Sequence, residues 1–187
     1  GADDTWEDFE TIPQEDVLTT GVRTFDATGE TVYLVDSRGR NTAALFSHHL
    51  ATGEKKLLAE DPKSDATELL VHPTQRTVQA VAFSYERRHW QVLDESIRDD
   101  LNALAAVDDG DLYVISRTHA DDTWIVGYER DDGPFRYYRY ERATKEATFL
   151  FTNRADLEGQ PLTPMHPRII ESRDGLPLVS YLSLPVW

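Results

Sequence analysis

The chain has 187 residues, room for one domain or a domain and part of another. Its 34 acidic residues against 19 basic ones give a net charge of −15, a field that repels phosphate backbones and argues against a nucleic-acid partner. Hydrophobic residues make up 40% of the chain and cysteine is absent, so a packed core is expected without disulfides, thiolate nucleophiles or cysteine-bound zinc. Cysteine content leaves the compartment open, the cytoplasm being expected over the periplasm. No apolar run approaches the roughly 18 residues of a membrane span, and Gly1 to Glu10 lacks the character of a signal peptide.

Along the chain, β-branched and aromatic runs punctuated by Gly, Pro and Asp predict strands near 21–26, 31–36, 43–50, 55–59, 67–71, 78–84, 88–93, 111–117, 123–129, 135–142 and 146–151. One segment departs from this pattern. Between Asp94 and Val107, Ile97, Leu101 and Leu104 recur at helical spacing, Ser96 with Asp99 resembles a capping box, and Gly110 follows as a stop. A helix is predicted there, inserted where the middle copy of a repeat should have its third strand.

The repeat is the main signal. Phe25–Val32, Val71–Val78 and Arg117–Trp124 align without gaps at a shift of 46, with Thr31, Thr77 and Thr123 in one column. At twice that shift, 92, Arg38 meets Arg130, Glu54 meets Glu146 and Leu58 meets Leu150. Each copy reads strand, polar turn, strand, with a period close to that of four-stranded propeller blades. The predicted fold is all-β: a partial propeller of about three four-stranded blades over residues 1–152, one inserted helix, a Gly- and Pro-rich linker over 153–167, and a C-terminal hairpin turning at Asp174-Gly175 within 168–187.

Several blocks carry a resemblance in addition. His72-Pro73, Gln79 to Phe83, Arg88, Trp90 and Leu93-Asp94 resemble the propeller portion of S9 (prolyl oligopeptidase) family serine peptidases of the acylaminoacyl-peptidase or dipeptidyl-aminopeptidase kind. So do Ser116-Arg117, Asp121-Asp122, Trp124, Asp132 to Pro134 and Leu150 to Thr152. Met165 to Pro167, Arg173 to Leu176 and Ser180 to Pro185 resemble the junction into the hydrolase domain of that family. The resemblance implies a seven-bladed propeller capping an α/β-hydrolase, with the G-x-S-x-G nucleophile elbow beyond Trp187. Residues 168–187 would then begin a truncated hydrolase domain.

None of the serines here lies in such an elbow, and no triad can be assembled, so no catalytic residue is assigned within the chain. Adjacent His48 and His49 on a strand point to opposite faces and cannot chelate one metal; no metal or cofactor is expected. The pairs Asp108-Asp109, Asp121-Asp122 and Asp131-Asp132 sit at predicted turns, where aspartate bonds its own backbone. Phe135, Tyr137 and Arg139 should share one face of their strand, and Arg136, Tyr138 and Tyr140 the other, with one aromatic face packing between blades.

Arg38, Arg117 and Arg130 stand near strand ends, where a guanidinium fork can hold a peptide carboxylate or pair with neighbouring acids. They are the candidate substrate-positioning residues. The function these features imply is a non-catalytic propeller segment that gates and positions short peptides, the peptide substrate being engaged through the parent hydrolase domain. The alternative is a stand-alone β-repeat scaffold with an acidic interaction surface. In either case, exposed blade edges offer a route to a homo-oligomer.

Overall fold

The computed structural model describes residue 6 and residues 8–185. The chain divides into two compact units, Gly1–Ala66 and Thr67–Trp187. The first holds one antiparallel sheet, β1 (Gly21–Phe25), β2 (Thr31–Asp36), β3 (Ala44–His49) and β4 (Lys55–Ala59), in the order β1-β2-β3-β4. In the second, β5 (Ala66–Val71), β6 (Val78–Ser84) and β7 (Arg88–Val92) form a three-stranded sheet, followed by the helix α1 (Arg98–Leu104). A second four-stranded sheet follows, β8 (Asp111–Arg117), β9 (Thr123–Glu129), β10 (Arg136–Glu141) and β11 (Glu146–Thr152), again in sequential order. A separate hairpin, β12 (His166–Glu171) and β13 (Pro177–Leu182), ends the described chain.

The repeat read from the sequence is physical. Its polar turns close by the same backbone bond three times: Asp26 N to Thr31 O, His72 N to Thr77 O and Thr118 N to Thr123 O, at 2.9, 2.8 and 3.0 Å. In each turn the first residue's side chain accepts a backbone N–H. Asp26 takes that of Thr31, His72 Nδ1 that of Gln75, and Thr118 that of Asp122. Three different chemistries thus satisfy one geometric demand. The two four-stranded sheets also share their irregularities. Arg23 in β1 and Ile115 in β8 are the extra residues of equivalent β-bulges. Leu58 in β4 and Leu150 in β11 form a second equivalent pair. A bulge at a repeated position is part of the design of the blade and re-aims the strand the same way each time.

The middle sheet corrects one expectation. Its third strand, β7, is present, and α1 takes the place of a fourth. The reason lies in the pattern: Arg88 to Val92 alternates as a strand, and only beyond Leu93 does the apolar period become helical. The capping residue also differs from the predicted one. Asp94, not Ser96, accepts the Ser96 N–H at 2.9 Å and opens a 3-10 turn that leads into α1.

Ile97, Leu101 and Leu104 project from this helical segment into a core made by Leu70, Ala80, Leu112, Trp124, Val126, Tyr128 and Tyr140. The aromatic face predicted for β10 packs here, Tyr138 edge-on to Tyr128 at 5.4 Å and Tyr140 against Trp124 at 5.8 Å. On the opposite face of the sheet, Phe135 lies against Gly127 so closely that a Cβ there would come within 2.0 Å of the ring. The hairpin is tied to its unit by the Tyr181 hydroxyl, which donates to Glu86 O at 2.8 Å, and by Met165 N, which donates to the Asp131 carboxylate at 2.7 Å.

Candidate functional site

The three arginines expected to position substrate are each held by acids, and they do not converge. Arg38, at the end of β2, donates from Nε and Nη2 to the Asp36 carboxylate at 2.9 and 2.7 Å, and also pairs with Glu10. Lys55 completes the group on Asp36; the Arg38 bonds foremost hold that carboxyl far below the usual aspartate range, against a side chain that is almost wholly buried. Arg130 occupies the matching place beyond β9, with Nε 2.9 Å from Asp132 and Nη1 2.8 Å from Asp108. Arg117 ends β8 beside Trp124, whereas Arg130 follows Glu129, so the two lie at opposite ends of the blade, about 20 Å apart along six residues.

Arg117 belongs to the most elaborate polar cluster of the second unit. Its Nε donates to Asp121 at 2.6 Å, its Nη1 to Val71 O at 3.1 Å and its Nη2 to Gln79 Oε1 at 2.8 Å. Asp121 also accepts from Trp124 Nε1 at 2.8 Å and from Arg142 Nη1 at 2.7 Å. The guanidinium carbons of Arg117 and Arg142 lie 4.6 and 5.2 Å from the Trp124 ring centre, close enough for the ring quadrupole to attract both cations. Arg142 reaches on to Asp100 in α1, at 3.0 Å from Nε and 2.8 Å from Nη2.

Asp100 is fully buried, and Tyr140 Oη donates to its Oδ1 at 2.8 Å, the same oxygen that Lys145 pairs with, while Arg142 holds Oδ2. Burial alone would raise the Asp100 carboxyl; the Arg142, Lys145 and Tyr140 bonds outweigh it and hold the group below 3.8. The same carboxylate, after burial, pushes the Tyr140 hydroxyl upward. A second cluster gathers on Asp108, which accepts from Gly110 N at 3.1 Å, Arg130 at 2.8 Å and Tyr138 Oη at 3.1 Å. Of the aspartate pairs assigned to turns, Asp108 and Asp122 do bond turn residues, whereas Asp121 is an ion-pair hub. The available signal for Asp121 was its position: it falls where the first copy has Gly29, and both residues are left-handed, at φ 55° and 76°.

Between these clusters lies a cavity of about 490 Å³, lined by Trp90 and Val92 from the middle sheet, Leu101 and Asn102 from α1, and Leu112 and Tyr128 from the last blade. Among the described residues no helix is long and apolar enough to cross a membrane.

Two four-stranded antiparallel sheets with matching bulges, and a third sheet on the same period, define consecutive blades of a propeller. No family model matches the chain. Over 185 residues it is 48% identical to dipeptidyl aminopeptidase BIII of Pseudoxanthomonas mexicana, a match covering 99% of this chain and 27% of that protein. It is 27% identical over 183 residues to dipeptidyl peptidase family member 6 of Caenorhabditis elegans, covering 97% of this chain and 25% of that protein. The chain therefore spans about a quarter of the length of these relatives. Among solved structures, Porphyromonas gingivalis dipeptidyl peptidase 4 superposes with a TM-score of 0.61 at 16% identity, over 91% of this chain and 24% of the other. A prolyl endopeptidase superposes at 0.59 with 10% identity, over 87% of this chain and 24% of the other. These two likenesses concern fold. Together, sequence and fold place the chain with the N-terminal propeller portion of the S9 (prolyl oligopeptidase) peptidase family.

Proposed function

We propose that this chain is the non-catalytic propeller segment of a serine peptidase that hydrolyses short peptides, and that it gates and positions them for a hydrolase domain. The observation that carries this reading is the 48% identity to a dipeptidyl aminopeptidase, sustained over 99% of the chain. On this reading, residues 153–167 are a linker and 168–187 the first strands of the hydrolase domain. The β12–β13 hairpin supports that assignment, since it forms a sheet of its own and leaves Ile169, Ile170, Leu178 and Leu182 exposed, as an element completed by further chain would.

Arg38 and Arg130 remain the better candidates for peptide positioning, with side chains 26% and 19% exposed; Arg117, at 5%, is committed to the interior cluster. The test is to incubate the purified chain with a fluorophosphonate probe and a chromogenic dipeptide substrate. Neither labelling nor turnover is expected; stoichiometric labelling together with turnover would overturn the reading.

A further inference from the structure

The helix α1 follows the middle sheet in sequence, yet its strongest polar bonds run to the next blade. Asp100 binds Tyr140, Arg142 and Lys145, the Leu104 carbonyl accepts from Tyr128 Oη at 2.6 Å, and the Ser96 carbonyl accepts from Arg142 at 3.2 Å. On its own side the helical segment is held chiefly through Gln79, which meets Asp94 at 3.0 Å and Ser96 at 3.3 Å.

The backbone of the last blade is bent to serve this arrangement. Lys145, in the β10–β11 turn, has φ 60° and Asp121, in the β8–β9 turn, has φ 55°. The equivalent positions of the first blade, 92 residues earlier, are Gly53 and Gly29, at φ 70° and 76°. Glycine adopts this conformation freely and other residues do so at a cost. Both departures from glycine supply side chains to one network, Lys145 to Asp100 and Asp121 to Arg142, Arg117 and Trp124. Among the described residues the first blade has no inserted α-helix beside it in the sequence, and it keeps both glycines.

We propose that α1 is a strap that belongs mechanically to the β8–β11 blade and latches the seam between that blade and the β5–β7 sheet, with Lys145 and Asp121 as its catches. The seam holds the 490 Å³ cavity lined by Trp90, Val92, Leu101, Asn102, Leu112 and Tyr128, so the position of the strap sets how far the two sheets stand apart there. A network that accepts two strained backbone positions and a fully buried carboxylate serves position before stability.

Hydrogen exchange on the intact protein tests this, with Lys145→Gly and Lys145→Ala compared. Glycine relieves the left-handed strain and alanine keeps it, while both remove the Asp100 contact. In both variants, exchange across α1 and β7 should rise by about tenfold, with the centres of β9 and β10 unchanged. A rise in alanine alone would assign the effect to backbone strain and overturn the proposal. It would equally be overturned by unchanged exchange in α1, or by a rise that β9 and β10 share in equal measure. Asp121→Gly, tested from the other catch, should loosen α1 in the same way; an unaltered α1 there would contradict Asp121 as a catch.

Discussion

The sheets β1–β4 and β8–β11 share strand order, both bulges and both tight turns, and they diverge where the second has an inserted helix to hold. Position 53 is glycine in one and its counterpart 145 is lysine in the other; the same exchange separates Gly29 from Asp121. A second divergence is compensated within the sheet. Val35 and Ala43, both buried, correspond at a shift of 92 to Gly127 and Phe135, so volume removed at one position returns at the other. The blade plan thus fixes strand order, turns and bulges, while charge and volume are redistributed according to what each blade must support.

The comparison is most severely tested by removing the hub of the network. Asp100→Ala leaves Arg142, Lys145 and Tyr140 without their acceptor and should cost about 3 kcal/mol in urea unfolding. A loss under about 1 kcal/mol would make the cluster incidental. Next in size, Gly127→Val gives the last blade the first blade's residue and drives it into Phe135, for a cost of about 1–3 kcal/mol. Adding Phe135→Ala should recover most of that loss, and a double-mutant cycle showing plain additivity would break the claim of compensation.

Smaller still, Gly53→Lys transplants the catch into a blade with nothing to catch. The built Cβ meets no neighbour within 4 Å, so the cost should be the backbone preference alone, about 1 kcal/mol. The acid limb of stability sharpens the picture last. Asp100 and Asp108 are held below 3.8, so their contribution is complete above that value and is lost as the pH falls through and below it. Asp100→Asn should flatten the decline of Tm below about pH 4, and an unchanged acid limb would remove Asp100 from it.

Much of this was readable beforehand because a repeat expresses itself in turn chemistry. The columns Thr31, Thr77 and Thr123 mark the residues whose carbonyls close the three turns, and the match of Leu58 to Leu150 falls on paired bulges. Alternation likewise told the two faces of β10 apart. The helix is legible in its apolar period, but its place as a substitute for a fourth strand is not, because short apolar segments leave strand counts ambiguous. In the sequence Asp121 reads as turn chemistry, since a single residue type suits both a turn and an ion pair. Only its replacement of a left-handed glycine distinguishes the two, and that requires φ. The lack of convergence between Arg117 and Arg130 follows from strand direction and register, which spacing alone does not fix.

The central claim, that these blades are the propeller portion of an S9 peptidase, is tested most directly by reading the coding frame beyond Trp187. The account predicts an open frame continuing into a glycine-rich segment and a G-x-S-x-G elbow. A stop codon directly after Trp187 would contradict it and leave a partial propeller standing alone as a binding scaffold.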